Sequence, residues 1–345
     1  MKKIGVILIT TLSVIVIFFA VFLVYATIWE WRPKEVENVA YTSTLPRPLT
    51  SDTISIISWN LGYGGLGAEM DFFMDGGNQS VATRENTIKN IENIKQFLRE
   101  NSNIDFFLLQ EVDSFSKRNY DINLYGEIVQ SLPYFTPYFA LNYSSPYVPI
   151  PLSDPIGRVN SGLLTLSKTP AFEAKRVSFP QYKSYPVRLF HLKRAFLQTK
   201  FKSKNGGVID IINTHNSAFD NGDSRRGEMN FLASELSKLS SFVVAGDWNA
   251  APPLYRLSKQ ESEDKYFSPI VVDSLEFGKG VNFAVDYNGK SSRYNNMPYN
   301  KNLSTTTLID FGIYSSNIKC LDVEIIDLGF ENSDHNPVYF QFTIR

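Results

Sequence analysis

Residues 243–249 read Val-Val-Ala-Gly-Asp-Trp-Asn, a short apolar run that ends on a glycine, a carboxylate and an amide. With Phe242 before it, the run has the composition of a strand buried on both faces. In layered α/β folds, ligands collect beyond the carboxyl ends of such strands. The same pattern recurs along the chain. Ile56-Ile57-Ser58-Trp59-Asn60, Asp105 to Glu111, Ile211-Ile212-Asn213-Thr214-His215 and Leu308-Ile309-Asp310-Phe311 are apolar runs that finish on, or next to, a polar or charged group. Asn332-Ser333-Asp334-His335-Asn336-Pro337 is a polar loop that leads into a final apolar run.

Working outward, strands are expected at Ile54–Trp59, Asp105–Gln110, Ser161–Leu166, Ala195–Phe201, Val208–Asn213, Phe242–Ala245, Leu308–Ile313 and Pro337–Phe342. Helical spacing is clearest for Ile88, Ile91, Ile94, Phe97 and Leu98, and for Met229, Leu232, Leu236 and Leu239. The region Ser258 to Ser304, rich in Asn, Ser, Tyr and Gly, is expected to form long loops, and no internal repeat is visible. Gly62 to Gly77 is glycine-rich and carries Met70-Asp71-Phe72-Phe73-Met74-Asp75. It is either an aromatic loop over the mouth of a site or a segment packed on the edge of the fold.

Composition bounds the chemistry. The 345 residues are 43% hydrophobic and 20% charged, with 26 Phe and 18 Tyr, enough apolar material for one large core. A formal net charge of −1 leaves no excess of Lys and Arg to release counterions from a nucleic-acid backbone. It does not exclude a nuclease, because a bound cation makes a site locally positive. Lys193-Arg194 and Arg225-Arg226 are only pairs, the second expected where a surface helix begins. The single cysteine, Cys320, excludes an intrachain disulfide and a thiolate zinc site. A metal would therefore sit on oxygen ligands or on His191, His215 or His335, and oxygen-rich sites favour Mg²⁺, Mn²⁺ or Ca²⁺.

After Met1-Lys2-Lys3, the run Ile4–Ile28 has no charged residue. At 1.5 Å per residue it is long enough to cross a hydrocarbon core of about 30 Å. It is expected to be a membrane anchor covering residues 1–31, with Trp29 and Trp31 at the interface. Lys2 and Lys3 place the N-terminus in the cytoplasm and the bulk of the protein on the extracytoplasmic side, although Arg32 and Lys34 follow the span closely. Val24-Tyr25-Ala26 permits the alternative of a cleaved signal and a secreted product, but the run exceeds the usual h-region. Residues 32–51, polar and proline-containing, read as a linker, and 52–345 as one globular domain.

Taken singly, the polar strand ends have ordinary explanations. Asn60 and Asp247 are natural turn formers, Glu111 suits a helix first turn, and Asp334-His335 suits an N-cap and turn. Asp310 is harder to dismiss, because alternation turns it away from Ile309 and Phe311. His191 has no neighbours that suggest a ligand.

Together and in this order, the segments resemble the endonuclease/exonuclease/phosphatase superfamily. The pieces that carry the resemblance are Ser-Trp-Asn at 58–60, Leu-Gln-Glu-Val at 109–112, Asn-Thr-His at 213–215, Gly-Asp-Trp-Asn at 246–249, Ile-Asp-Phe at 309–311 and Ser-Asp-His-Asn-Pro at 333–337. It covers about Thr53 to Thr343. It implies an α/β four-layer sandwich, two packed mixed β-sheets flanked by helices, here preceded by the N-terminal transmembrane helix. It also implies a metal-dependent phosphoesterase. Glu111 is then the main metal carboxylate, with Asn60 and Asp334 close to the same ion. Asp247 orients or deprotonates the attacking water, Asn249 holds it and a phosphate oxygen, and His215 and the Asp310-paired His335 donate to phosphate oxygens.

The chemistry asks for these residue types. An anionic phosphodiester needs a metal and hydrogen-bond donors to offset charge in the transition state, and it needs a base for the water. One departure stands out: many relatives carry an acidic residue just after the first Asn, where this chain has Leu61-Gly62-Tyr63, so a tight two-metal site is in doubt. A membrane-tethered scaffold that kept the fold and lost activity is the alternative, and it predicts a replaced catalytic position. The expected substrate is a phosphate ester, either nucleic acid or a lipid or inositol headgroup; diesterase and monoesterase action are both open. The protein is expected to act as a monomer. Phe72, Phe73, Tyr143 and Tyr147 are expected in loops, where they would touch bases or lipid.

Overall fold

The computed structural model describes residues 2–40, 45–180, 183–218 and 223–344. Helix α1 (Lys2–Ile28) is exposed along most of its length, with a mean hydropathy of 3.0 over its most apolar window, and touches the globular part near its C-terminal end, where Phe22 meets Phe190 and Tyr147. It is long and apolar enough to cross a bilayer, a test that a signal sequence also passes.

The remainder is built on two sheets. One runs in the order β16 (Ile318–Ile325), β17 (Val338–Ile344), β2 (Thr53–Asn60), β3 (Phe106–Asp113), β5 (Gly157–Ser167), β4 (Thr136–Val148). The other runs β1 (Val36–Asn38), β6 (Glu173–Ser178), β7 (Ala195–Lys202), β8 (Val208–His215), β9 (Phe242–Asp247), β15 (Asp310–Ser315), β12 (Val281–Ala284). Each is mixed: β2 and β3 are parallel, as are β8 and β9, and their other neighbours are antiparallel. Two small pairs, β10 (Ala250–Ala251) with β11 (Ile270–Val271) and β13 (Ser292–Arg293) with β14 (Thr306–Thr307), cap the same end.

The side-chain period of two sets the layers. On β2, Ile56 lies beside Phe106 and Phe340, and all three face the core between the sheets. The next residue, Ile57, lies beside Phe107 and faces outward. There it meets Ile91, Ile94 and Leu98 of helix α2 (Arg84–Glu100) and Leu124 and Ile128 of helix α3 (Leu124–Ser131). A slip of one residue would exchange the two faces, and each large apolar side chain it exposed would cost about 1.5–3 kcal/mol. On the other sheet, Ile211, Val243 and Ala245 face inward, while Ile212 and Val244 face Met229, Leu232 and Leu236 of helix α4 (Asp223–Leu236). The order of layers is therefore helix, sheet, sheet, helix. The short helix α5 (Lys259–Glu263) begins on a Ser258–Glu261 capping box.

Several expectations need correction. The stretch read as a linker is part of the fold: Val36–Asn38 pairs with β6 as an edge strand, and Val39 and Leu49 are buried in the inter-sheet core. Its polar composition is that of an edge strand, half of whose backbone faces water. Strands β4, β6 and β16 and helix α3 escaped the sequence reading, because their exposed faces interrupt the apolar pattern. The 258–304 region is mostly loop but includes α5, β11, β12 and β13. Gly62–Gly77 packs onto the domain, with Tyr63, Leu66, Met70 and Phe72 in one buried cluster with Tyr143, Val148 and Ile156. Of the four aromatics expected in loops, Tyr143 and Tyr147 lie instead on strand β4. Phe72 and Tyr143 are buried, Phe73 is partly buried and Tyr147 is exposed. Arg225 is also buried, donating to the carbonyls of Asn249 and Ser268.

Candidate active site

The strand registers bring the polar ends to one place. Parallel pairing sets Asn60 opposite Gln110, so Glu111 is one residue beyond. In the facing sheet, His215 lies opposite Asp247, and Asp247 opposite Asp310. The sheets are tied behind this point by a buried polar link. Gln110 Nε2 donates to Asn213 Oδ1 (2.7 Å), and Asn213 Nδ2 donates to the carbonyls of Leu109 and Leu164.

Local backbone geometry does the aiming. The pairing of β3 with β5 shifts register between Leu109 and Val112, a bulge in which Glu111 adopts φ 53°. A bulge turns a side chain out of the pleat, and the left-handed conformation costs a bulky residue on the order of 1 kcal/mol or more. Gly246 permits close approach of β8, since a Cβ there would lie 2.0 Å from the Thr214 carbonyl oxygen. Gly62, at φ 48°, leaves room for Asp334, whose Oδ1 would be 2.9 Å from a Cβ.

Asp247 is the hub. Its Oδ2 accepts from Asn60 Nδ2 (2.9 Å) and Asn249 Nδ2 (3.3 Å), and its Oδ1 accepts from the Asn249 backbone N–H (2.8 Å). Two imidazoles face the same carboxylate: His215 Nε2 at 3.3 Å and His335 Nε2 at 3.8 Å. They are held in opposite charge states. Burial, with help from Arg194, His335 and Arg118, keeps His215 well below the ordinary histidine range. Burial opposes a charge on His335 as well, but the Asp310 and Asp247 carboxylates outweigh it and hold that imidazole well above the range. Its Nδ1–H donates to Asp310 Oδ2 at 2.8 Å. Burial raises Asp247 to about 7, partly offset by His335.

Glu111 lies 3.8 Å from His215 and is raised by burial, with Asp334 adding to the shift and Arg118 opposing it. Asp334 accepts from Asn295 Nδ2 at 2.7 Å. Asn60 Oδ1 accepts the Gly62 N–H (3.0 Å), with a second lone pair left over. Glu111, Asp334 and Asn60 thus bring hard oxygen donors and mutually repelling carboxylates to one wall, a set that suits Mg²⁺. Asp247, Asp310 and His335 also place ligand-type atoms within 4.8 Å of one another, a spacing that could hold an ion. There the imidazole Nδ1 is already engaged with Asp310.

All eight anticipated residues come together. Asn60, Glu111, His215, Asp247, Asn249, Asp334 and His335 line one cavity of about 460 Å³, and Asp310 stands behind His335. The pattern of sequence from Ile57 to His335 matches the endonuclease/exonuclease/phosphatase family model, over residues 57–335. The chain belongs to this family.

Solved structures agree on the fold. A Beutenbergia cavernae endonuclease/exonuclease/phosphatase superposes with TM-score 0.56 at 14% identity, over 85% of this chain and 72% of that one. Danio rerio TDP2 in complex with a single-strand DNA product gives 0.53 at 15% identity, over 84% and 99%. The human Nocturnin catalytic domain with a bound sulfate anion gives 0.51 at 15%, over 91% and 100%. No protein of curated function matches the chain in sequence. Membership makes the protein a phosphoester hydrolase by fold, and divalent-metal dependence is a property of the family.

Sequence reasoning missed several groups in this family site. Arg118 forks onto the buried Asp113 (2.8 and 2.9 Å) and stacks over the Tyr63 ring at 3.7 Å. Arg194, passed over as half of a basic pair, is buried in the cavity wall, and its Nε and Nη1 have no hydrogen-bond partner among the described residues. Asp75 lines the same cavity near Asp334, and burial raises it to about 7. His191 also lines the cavity, half-buried and lowered by burial.

Proposed function

We propose that the protein is a membrane-anchored, Mg²⁺-dependent hydrolase of phosphate esters. The single observation that carries this reading is the Asp247 carboxylate, held by Asn60 and Asn249 between a neutral and a cationic imidazole. A carboxylate raised to about 7 accepts a proton efficiently near neutral pH.

In the reaction, water adds to phosphorus, the bond to the departing oxygen breaks, and the water's proton passes to Asp247. Asn249 holds the water and one phosphate oxygen. The cationic His335 presents its Nε2–H to a phosphate oxygen, oriented through Nδ1 by Asp310. Neutral His215 supplies one N–H, and Arg194 offers unpaired N–H groups beside them. Glu111 and Asp334, with Asn60 Oδ1, would hold Mg²⁺, which supplies Lewis-acid stabilisation of the developing charge. An inactive scaffold is disfavoured, because none of the eight positions is replaced.

The α1 helix is read as the anchor, with the lysines at its start in the cytoplasm and the catalytic domain outside; secretion after cleavage is the alternative. The test is turnover of bis(p-nitrophenyl) phosphate and p-nitrophenyl phosphate by the full chain, with and without Mg²⁺. Metal-dependent release of nitrophenolate is expected. Failure with either ester at every divalent metal, together with no metal binding by calorimetry, would return the scaffold reading.

A further inference from the structure

The cavity has two chemically different parts. Besides the polar centre, the lining includes the apolar side chains of Val148, Ile150, Ile156, Val187, Phe190 and Leu192, with Lys183 and His191 among them. Nothing in phosphoester hydrolysis needs such an apolar lining; it is suited to an apolar part of the ligand. Its rim is uncovered: Ile150 is 45% and Val187 55% exposed, and Leu152, Tyr147 and Tyr185 beside them are exposed as well. A contiguous exposed apolar surface of this kind marks a partner or a membrane.

Helix α1 shows which. Phe22 stacks on Phe190, with ring centroids 5.6 Å apart and planes 2° from parallel, and meets Tyr147 edge-on at 6.3 Å. Further along, Glu30 is fixed to Lys193 and Arg188, each at 3.3 Å, and Trp31 lies under the Arg176 guanidinium at 5.1 Å. The end of the helix is therefore docked on the catalytic domain beside the cavity mouth. Phe22 lies six residues before Ile28, about 9 Å along the axis. If Trp29 and Trp31 mark the interface, Phe22 and the rings it touches lie below the headgroup plane. The mouth then opens on hydrocarbon, and the charged groups around Glu30 lie at headgroup depth.

We propose that the substrate is a membrane lipid bearing a phosphate ester, whose apolar chain enters from the bilayer across Phe190 and Ile150 while its phosphate reaches Arg194 and the Asp247–His335 centre. This rests on the hydrolase and anchor readings above. Arg194, in the same cavity, is more than nine-tenths buried, and its Nε and Nη1 have no partner among the described residues, as a phosphate-binding group requires. A nucleic-acid strand would need a basic track in water. The described rim is mostly apolar, with Lys183 and Arg188 as isolated cations and Arg188 already paired with Glu30, and the chain's net charge is −1.

The test uses the full chain reconstituted in phosphatidylcholine vesicles with Mg²⁺, and two esters with the same leaving group, methyl and dodecyl p-nitrophenyl phosphate. Partitioning favours the dodecyl ester for any membrane enzyme, so the comparison is between proteins. Val187→Asp or Ile150→Asp should lower the dodecyl-to-methyl ratio of kcat/KM about tenfold, the equivalent of roughly two methylene groups losing their apolar surroundings. An unchanged ratio in both variants overturns the proposal, as does preferential hydrolysis of a single-stranded oligonucleotide over the dodecyl ester. If neither ester turns over, the hydrolase reading has failed instead, and a second measurement still judges the lipid-facing mouth. A nitroxide on Ile150→Cys, in a Cys320→Ser background, should be relaxed more by oxygen than by a nickel chelate, and the reverse order would place the rim in water.

Discussion

His335 and Asp310 are joined at 2.8 Å across the two sheets, the imidazole from the loop that leads into β17 and the carboxylate from the first residue of β15. Asp310 has no comparable contact with His215, which faces Asp247 at 3.3 Å. Asp310→Asn and His335→Ala should therefore be strongly non-additive, the double variant being little worse than His335→Ala alone. Asp310→Asn with His215→Ala should lose close to the sum of the two effects. Steady-state kinetics of the wild type, the three single variants and the two double variants checks this; additivity in the first pair and coupling in the second would assign the carboxylate to His215.

Glu111→Gln preserves shape and removes one metal carboxylate. It should leave the melting temperature within a few degrees and reduce kcat/KM by about a hundredfold or more at limiting Mg²⁺. Wild-type rates under those conditions would shift the metal to the Asp247–Asp310–His335 group.

Asp247 must be ionised to accept a proton, and burial raises it to about 7. Activity should therefore fall as pH drops through about 7 when Mg²⁺ is scarce. A cation nearby favours the ionised form, so the acid limb should move to lower pH as Mg²⁺ rises. Because Asp247 and His335 interact, the limb belongs to the pair. Profiles of kcat/KM at two Mg²⁺ concentrations measure the shift; an acid limb indifferent to metal would separate base from metal.

Gly246→Ala places a methyl group 2.0 Å from the Thr214 carbonyl oxygen, where the two parallel strands cannot separate without disturbing His215 and Asp247. The expected loss is about 3 kcal/mol or more of stability, read from denaturant unfolding. A loss below about 1 kcal/mol would mean that the strand ends are looser than their register implies.

Alkaline carbonate should leave the full chain in the membrane pellet. Truncation just before Pro33 should give a folded soluble domain, whereas truncation at Ser51 removes β1 and the buried Val39 and Leu49, and should lower the melting temperature or yield. A natural N-terminus recovered at Thr27 would establish cleavage and a secreted enzyme.

Much of this was legible as a series. Gly246-Asp247-Trp248-Asn249 and Ser333-Asp334-His335 each suit an ordinary turn or cap when taken alone, and only their order along the chain together with the other motifs carried the family resemblance. Edge elements were not legible. The strand at Val36–Asn38 and the β4 and β16 strands have one face in water, so their composition resembles loop until a neighbour supplies the other half of the pairing.

The sequence by itself determined the main strands and helices, the apolar N-terminal helix and a series of polar groups at or near strand ends, because alternation and local turn chemistry are properties of neighbouring residues; the layered sandwich and the choice of eight site residues came from the resemblance to the family. Tertiary structure alone decided which groups share a carboxylate, that Arg118 and Arg194 enter the site, and that Phe22 of the helix seats on Phe190 beside its mouth. Those relations join residues far apart in the chain. Burial and the summed charges of several elements set the opposite ionisation of His215 and His335, and neither quantity exists until the two sheets have packed.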